Sequence, residues 1–292
     1  MTEPVDPGCS RALFEAHSRS FGSNRYVYPV LSRRSRGISI GVNLSLDKRC
    51  NFDCIYCQVD RTERGERGLV AVDRLAAELD AMVRLVTSGR IYESPKFRHA
   101  PPDSRRLNDI ALSGDGEPTL SANFDDVAAA CAEVRRRHGL VDAKLVLITN
   151  AGLLHHDRVR RGLEILDANG GEIWAKLDAG TEEYFRLVAR SAIPFGRILD
   201  NLRDAALTRP IVIQSLFGRI HGEPPPPAEQ EAYCERLREI VDAGGRIKLV
   251  QLYTIARPPH ESWVAPLAND VLDGMADLVR RRTGLEVATF YG

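Results

Sequence analysis

The chain has 292 residues, of which 43% are hydrophobic and 27% charged, the usage of a globular protein long enough to bury a large core. Its 40 basic residues equal its 40 acidic residues, so the net charge gives no global attraction to nucleic acid. No apolar stretch approaches the roughly 20 residues that span a bilayer. Cys9, Cys131 and Cys234 are isolated along the chain and no signal peptide precedes them, so we expect reduced thiols and a cytoplasmic location.

Apolar runs rich in β-branched residues alternate with helical patterns, which is typical of consecutive β-α units and a parallel sheet. The predicted strands lie near residues 38–46, 108–113, 144–149, 172–178, 210–216 and 247–253. The predicted helices lie near residues 70–87, 121–138, 155–168, 181–189, 195–207, 226–243 and 266–283. Residues 88–107, rich in Pro, Arg and Ser, are predicted to form an exposed loop.

The expected organisation has three parts. An N-terminal extension covers residues 1–37, a core of strand-helix units covers residues 38–283, and a C-terminal segment covers residues 284–292. The apolar run from Leu285 to Phe290 within that last segment is predicted to be an edge strand or a packed tail.

The best indication of function is a segment with three cysteines, residues 48–57, which we call the cysteine loop. Cys50, Cys54 and Cys57 lie within eight residues in a C-x3-C-x2-C spacing. Thiolates are soft ligands suited to iron–sulfur clusters, and three of them leave one iron of a four-iron cluster open to a small molecule. The alternative is a structural zinc site completed by a distant histidine, because the sequence has no second cysteine pair.

The cysteine loop resembles that of the radical S-adenosylmethionine (SAM) superfamily, in which a C-x3-C-x-aromatic-C sequence holds a [4Fe–4S] cluster. Tyr56 stands at the aromatic position. The resemblance implies that SAM chelates the open iron and that one electron from the cluster cleaves SAM to methionine and a 5′-deoxyadenosyl radical. This radical then abstracts a hydrogen atom from the substrate. The resemblance also implies the fold, an α/β partial (β/α)6 TIM-like barrel with its chemistry at the carboxyl ends of the strands.

A second motif follows the second predicted strand. Residues 113–117, Ser-Gly-Asp-Gly-Glu, are called the glycine turn, and by resemblance they correspond to the superfamily motif that binds the SAM amino group. Two glycines allow the backbone to approach a ligand closely. Asp115 departs from the commonest form of the motif, which has glycine there. The candidate residues are Gly114, Asp115, Gly116 and Glu117, and the alternative is a solvated Asp-Gly turn.

Polar residues also follow the later strands. Lys176 and Asp178 point to the same face at period two, and the Asp178 carboxylate is a candidate acceptor for the ribose hydroxyls of SAM. The alternatives are a surface ion pair or a helix N-cap at Asp178. Asn150, at the end of the third predicted strand, and Gln214, on the fifth, are further candidates for cofactor binding. Other polar residues at the same strand ends are Thr149, Ser215, Gln251, Tyr253 and Arg257.

The order of several motifs narrows the resemblance to the wyosine-base-synthase-related group of radical SAM Fe–S oxidoreductases. These motifs are residues 29–37 and 38–44, then Gly-Glu-Pro-Thr-Leu, Thr-Asn, Lys-Leu-Asp-Ala and Ala-Arg-Pro-Pro. The archetypal synthases condense a tRNA guanosine with pyruvate and use additional cysteines for a second cluster. Here Cys9 is the only cysteine before Cys50, and the neutral chain has no excess of the basic residues that bind a polyanion.

The sequence therefore predicts a radical SAM enzyme with a [4Fe–4S] cluster and SAM as cofactors and an unidentified substrate, a small molecule or peptide in preference to tRNA. Its expected partner is an external electron donor of the flavodoxin or ferredoxin type. Two alternatives stay open: a wyosine-type enzyme that modifies tRNA or a nucleoside, and a noncatalytic metal-binding or redox interaction protein. The sequence does not determine the role of Arg33, Arg34 and Arg36, which precede the first predicted strand.

Overall fold

The structure is a computed structural model, and the residues it describes are 19–32, 37–62 and 65–292. Cys9, Arg33, Arg34 and Arg36 lie outside the described residues. Two compact units make up the chain: the first comprises residues 1–47, 65–147 and 157–171, and the second comprises residues 48–64, 148–156 and 172–292. Over the described ranges, no helix is both long and apolar enough to cross a membrane.

The described part of the first unit contains four strands. β1 (Val27–Ser32) pairs antiparallel with β2 (Gly37–Val42), and parallel pairing continues to β3 (Leu107–Leu112) and β4 (Lys144–Thr149), whose last two residues belong to the second unit. All six residues of β2 are buried. The apolar residues Ile38, Ile40 and Val42 fit this burial, and the one polar side chain, Ser39, donates to the Asp109 carboxylate.

Three α-helices of the first unit follow its parallel strands: α1 (Val72–Thr87), α2 (Phe124–Arg137) and α3 (Asp157–Ala168). In α1 the buried side chains of Leu75, Leu79 and Met82 recur at helical spacing and form the face that packs inward. Helix α2 has acidic residues in its first turn and Arg135, Arg136 and Arg137 in its last turn, which matches the helix dipole. The arginine run is therefore accounted for as a helix end.

The second unit contains two groups of strands. β5 (Gly171–Lys176), β6 (Ile211–Leu216), β8 (Ile247–Tyr253) and β10 (Val287–Phe290) pair parallel in that order, and β5 begins one residue before the unit. β7 (Gly218–Ile220) and β9 (Val264–Pro266) pair antiparallel. The helices are α4 (Glu182–Ala189), α5 (Phe195–Thr208), α6 (Pro227–Asp242) and α7 (Asn269–Thr283).

The predicted alternation of strands and helices is confirmed. Each of the six predicted strands overlaps an observed strand, and each of the seven predicted helices overlaps an observed helix, with ends that differ by a few residues. Along the described residues, six parallel strands are each followed by at least one α-helix, as a (β/α)6 order requires. The run from Leu285 to Phe290 contains strand β10, which pairs with β8.

Strand β1 is absent from the sequence prediction and lies within the N-terminal extension. Its sequence, Val-Tyr-Pro-Val-Leu-Ser, contains Pro29, which has no backbone N–H to donate and argues against a central strand. The strand is the outermost in its order and pairs only with β2 among the described strands, so the proline is tolerated.

The prediction of an exposed loop at residues 88–107 is wrong in part. Short 3-10 helices occur at Arg90–Glu93 and Pro102–Ser104. Ile91, in the first of these helices, and Phe97, between the two, are fully buried, at 0% and 1% exposure. The polar composition of the segment obscured these two apolar side chains. Burial of each one stabilises the fold by about 1.5–3 kcal/mol.

Candidate functional site

The cysteine loop lies in the second unit and is held there mainly by its backbone. The N–H groups of Asp53 and Ile55 donate to the carbonyl oxygens of Ala189 and Val188, at 2.9 and 3.0 Å. These carbonyls end helix α4, where backbone acceptors have no partner within the helix. The N–H of Cys57 donates to the carbonyl oxygen of Cys54 at 2.9 Å, which closes a turn between the last two cysteines.

The three thiols of the cysteine loop are half-buried, and none takes part in a disulfide. Asn150 Nδ2 lies 3.7 Å from Cys50 Sγ, and an Arg61 guanidinium nitrogen lies 3.5 Å from Cys57 Sγ, so two of the sulfurs accept N–H groups. Burial raises the pKa of the Cys54 thiol to about 12. A metal or cluster that binds this thiol must therefore displace a proton, because the thiolate is the ligand.

The donor set fits an iron–sulfur cluster in its chemistry. Three cysteine sulfurs on one short segment supply soft ligands, and the two N–H donors suit the negative charge that ligated sulfur carries. Within the described ranges, however, no three His, Cys, Asp or Glu side chains are gathered closely enough to hold a metal ion. Cys50, Cys54 and Cys57 are the residues that would hold such a cluster.

A buried charged pair at the end of β5 lies in the same unit. Lys176 Nζ is 3.2 Å from Asp178 Oδ2, which confirms that the two side chains share one face. Asp178 is only 6% exposed, and its Oδ1 accepts the N–H of Leu216 at 2.8 Å. The alternatives for Asp178 are wrong, because the pair is not on the surface and the N-cap of α4 is Thr181, whose side chain accepts the N–H of Tyr184.

Two tyrosines complete this group. The Tyr56 hydroxyl donates to Asp178 Oδ2, and Lys176 Nζ donates to the Tyr253 hydroxyl at 3.0 Å. The ammonium also lies 4.9 Å from the centre of the Tyr56 ring and 5.5 Å from that of Tyr253. Burial lowers the pKa of Lys176, but the Asp178 carboxylate, Tyr253 and Cys54 together outweigh it, so the net pKa is raised and Lys176 stays charged. Tyr56 thus links the cysteine loop to Asp178.

Asn150 and Gln214 are held firmly in the second unit. Asn150 Oδ1 accepts the N–H of Gly152 at 3.0 Å, while its Nδ2 donates to Asn51 Oδ1 at 2.6 Å. Ala151 follows with a φ of 64°, a left-handed conformation that is uncommon without glycine, and its carbonyl accepts Asn201 Nδ2 at 2.7 Å. Gln214 is buried and donates to Gln251 Oε1 at 2.8 Å on the neighbouring strand. Asn150 therefore lies against the cysteine loop, and Gln214 lies in a buried amide pair.

The glycine turn lies in the first unit and is stabilised by Asn43, which follows β2. Asn43 Oδ1 accepts the N–H groups of Asp115 and Ser45, each at 3.1 Å, and Asn43 Nδ2 donates to Asp115 Oδ2 at 2.6 Å. Arg19 forms an ion pair with the same Asp115 carboxylate. A Cβ at Gly114 would lie 2.8 Å from the Asn43 Cα, so only glycine fits there. Asp115 is therefore a structural part of the turn.

Glu117 ends the glycine turn and begins the 3-10 helix Pro118–Leu120. Its Oε1 accepts both the N–H and the hydroxyl of Thr119, at 3.1 and 2.7 Å, and the side chain is buried. Arg158 donates to the carbonyl oxygen of Thr119 at 3.3 Å and so supports the same helix. The orientation of the Glu117 carboxylate is thus fixed by its own turn.

Three residues at the glycine turn and the cysteine loop have contacts that the sequence analysis did not foresee: Asn43, Asn51 and Arg61. Asn43 directly follows a buried strand, and that position was the available signal. Asn51 and Arg61 lie in or beside the cysteine loop, where charged and polar residues are common, so nothing in the sequence distinguished them from solvated neighbours.

Several curated proteins are similar to this chain. A protein named GTPase Obg from Brachyspira hyodysenteriae is 28% identical over 62% of this chain and 23% of its own length. A UPF0026 protein of Methanocaldococcus jannaschii is 24% identical over 84% of this chain and 67% of its own length. A UPF0026 protein of Synechocystis sp. is 29% identical over 52% of this chain and 48% of its own length. The chain thus spans less than half the length of two of these relatives.

Two solved structures are distantly similar. The crystal structure of archaeal TYW1 has a TM-score of 0.47 and 14% identity, and the match covers 96% of this chain and 82% of that chain. The crystal structure of BtrN in complex with AdoMet and 2-DOIA has a TM-score of 0.30 and 22% identity, and the match covers 51% of this chain and 49% of that chain.

A family model settles the superfamily. The model described as the radical SAM superfamily matches residues 44–218, which is more than half of the chain. The matched range includes the cysteine loop, the glycine turn and the Lys176–Asp178 pair. The predicted resemblance and the predicted α/β fold class of radical SAM type are both confirmed. The chain belongs to the radical SAM superfamily.

Proposed function

We propose that this protein is a radical SAM enzyme whose Cys50, Cys54 and Cys57 hold a [4Fe–4S] cluster. The superfamily uses such a cluster together with SAM. When bound, the cluster supplies the electron that cleaves SAM to methionine and a 5′-deoxyadenosyl radical, which abstracts a hydrogen atom from the substrate. The observation that carries the proposal is the cysteine loop: three thiols outside any disulfide, on a segment whose backbone helix α4 fixes.

The Asp178 carboxylate is the proposed acceptor for the ribose hydroxyls of SAM. The backbone N–H of Leu216 orients it, and the ammonium of Lys176 lies 3.2 Å from its other oxygen. Tyr56 donates to the same carboxylate, so a hydroxyl that binds there joins or replaces an existing donor. An acceptor that is already oriented and charged loses little entropy when it binds a ligand.

The glycine turn is the proposed contact for the amino end of SAM. Gly114 and Gly116 have no side chains, which leaves the backbone open to close approach. Thr119 holds the Glu117 carboxylate in one orientation. Asp115 is engaged by Asn43 and Arg19, so its proposed role is to hold the turn in place.

The proposed partner is an external electron donor of the flavodoxin or ferredoxin type in the cytoplasm. The substrate is unidentified, and a small molecule or a peptide is favoured over tRNA. The support is electrostatic: 40 basic residues against 40 acidic residues give no excess positive charge, whereas a polyanion normally binds a basic surface.

The test is anaerobic reconstitution with iron and sulfide, followed by incubation with SAM and dithionite. We expect about four irons per chain, the content of one [4Fe–4S] cluster, and formation of 5′-deoxyadenosine. A reducible cluster that forms no 5′-deoxyadenosine, with candidate substrates also supplied, would support the noncatalytic alternative. Supplying tRNA and pyruvate tests the wyosine-type alternative, and a tricyclic guanosine in the digested tRNA would overturn the preference against tRNA.

Two variants test the SAM contacts. Asp178→Asn and Glu117→Gln should each weaken SAM binding to the clustered protein about ten- to hundredfold, because each replaces a charged hydrogen bond worth about 1.5–3 kcal/mol. Gln230→Ala, on α6, is the matched control that removes a polar side chain outside both groups. Iron content is measured on every sample, and unchanged SAM affinity in both variants would remove these two residues from the proposal.

A further inference from the structure

Arg61 makes contacts with both sides of the cysteine loop. One guanidinium nitrogen donates to the carbonyl oxygen of Phe52 at 2.9 Å, and the other lies 3.5 Å from Cys57 Sγ. The first nitrogen is also 3.6 Å from the carboxylate of Asp53. The side chain of Arg61 is 28% exposed and that of Asp53 is 65% exposed. Solvent therefore screens the carboxylate contact more than the sulfur contact, and the positive charge of Arg61 remains effective at Cys57.

Asn150 makes a second contact of the same kind at the other end of the loop. Its Oδ1 accepts the N–H of Gly152 at 3.0 Å, so the opposite atom of the amide is the NH2 group. This NH2 group lies 3.7 Å from Cys50 Sγ and 2.6 Å from Asn51 Oδ1. The side chain is buried, and its orientation toward the sulfur is therefore fixed.

Hydrogen bonds to ligand sulfurs and nearby charge are two of the properties that set the reduction potential of an iron–sulfur cluster. One-electron reduction adds a negative charge that is shared with the sulfurs. An N–H donor stabilises the reduced form more than the oxidised form, and a cationic donor does so more strongly than a neutral one. Loss of such a donor must therefore make the cluster harder to reduce.

We propose that Arg61 and Asn150 are positioning residues that donate N–H groups to the ligands Cys57 and Cys50 and thereby raise the reduction potential of the cluster. This inference rests on the proposed function, because it requires a cluster on the cysteine loop. The electron comes from an external low-potential donor, and no bond to either residue forms or breaks. Arg61 has the larger effect because it carries a charge, and Asn150 has the smaller effect in the same direction.

The experiment compares midpoint potentials of the reconstituted full chain, measured anaerobically by dye-mediated titration with dithionite and detected by the electron paramagnetic resonance of the reduced cluster. The variants are Arg61→Met, Arg61→Lys and Asn150→Ala. Arg238→Met is the control, because it removes an exposed arginine of α6. Among the described residues, the one ion-pair partner of Arg238 is Asp242. We expect Arg61→Met to lower the equilibrium constant for reduction about tenfold, equivalent to about 59 mV toward negative potential.

Arg61→Lys keeps the charge but not the fork that reaches both Phe52 and Cys57, so we expect a smaller negative shift. Asn150→Ala should also shift negatively, and Arg238→Met should not shift. If Arg61→Met holds no iron, Arg61→Lys decides: a negative shift supports the proposal and an unchanged potential overturns it. Iron analysis separates the two levels, because a wild-type chain without iron contradicts the proposed function, whereas iron-loaded variants with wild-type potentials contradict only this inference.

Discussion

The cysteine loop of the second unit and the glycine turn of the first unit differ in how their polar side chains are held. In the glycine turn, Asp115 and Glu117 accept hydrogen bonds from Asn43 and Thr119 within the same unit. In the cysteine loop, the backbone is anchored by helix α4, and N–H groups of Arg61 and Asn150 lie 3.5 and 3.7 Å from two of the sulfurs. The side chains of the turn are thus held by partners in the same unit, whereas the loop presents its side chains from an anchored backbone.

The difference shows that a polar residue in a sequence motif can either stabilise the local structure or bind a ligand. An acidic residue in a glycine-rich turn can stabilise the turn itself, as the contacts of Asp115 illustrate. A thiol on a rigid backbone with weak polar contacts is available to a ligand. Substitutions in the two regions should therefore change different quantities: stability in the turn, and metal content in the loop.

The largest expected effect is on metal content. Cys54→Ala should abolish cluster binding, because it removes one of three protein ligands, and Cys50→Ala and Cys57→Ala should do the same. The measurement is iron and sulfide per chain after anaerobic reconstitution. Cys131→Ala is the control, since Cys131 is fully buried in α2 and behaves as a small apolar residue. Equal iron loss in that control would show that the ligand set is wrong.

The next effect is on stability in the second unit. Asp178→Asn leaves the buried ammonium of Lys176 without its carboxylate and should lower the free energy of unfolding by about 3 kcal/mol. The double variant Lys176→Met with Asp178→Asn removes the unpaired charge and should recover much of that loss. Urea unfolding of the cluster-free chain measures both. A double variant as unstable as the single variant would show that the charge pair does not cause the loss.

A smaller effect is expected in the glycine turn. Asn43→Ala leaves the N–H groups of Asp115 and Ser45 without the Asn43 acceptor and should cost about 2 kcal/mol of unfolding free energy. Asn43→Asp restores an acceptor but places a second carboxylate beside Asp115, so it should not restore stability. Cluster content should remain that of the wild type in both variants. Loss of iron in Asn43→Ala would remove the distinction between turn and loop drawn above.

The smallest expected effect is a pH dependence in the first unit. Burial alone would raise the pKa of Glu78. The N–H groups of Tyr26 and Arg25 and the guanidinium of Arg74 together lower it by more than burial raises it, so the net pKa lies below its usual value. The stabilisation is therefore present above the unfolded-state pKa and is lost as the pH falls through the folded-state pKa. Glu78→Gln should cost about 1 kcal/mol at neutral pH and less below about pH 4. Parallel stability-pH curves for the two proteins would contradict this assignment.

The sequence by itself determined the order of elements and singled out the candidate cluster ligands. The parallel strands are rich in buried apolar residues, and the helices between them show regular spacing, so β2 to β6, β8 and their helices were predictable. Cys50, Cys54 and Cys57 were recognisable because their spacing carries the chemistry of a single local segment. Lys176 and Asp178 shared a face for the same local reason, the two-residue period of a strand.

Only the tertiary structure decided the contacts between residues distant in sequence. Asn43 meets Asp115 across 72 residues, and Tyr56 meets Asp178 across 122 residues. The burial of Phe97 in a polar segment and the edge position that admits Pro29 in β1 were decided in the same way. Such contacts depend on which strand pairs with which, and local spacing contains no information on that pairing. The role of a polar side chain in this protein, as support for a turn or as a partner for a ligand, therefore became visible only when its neighbours were known.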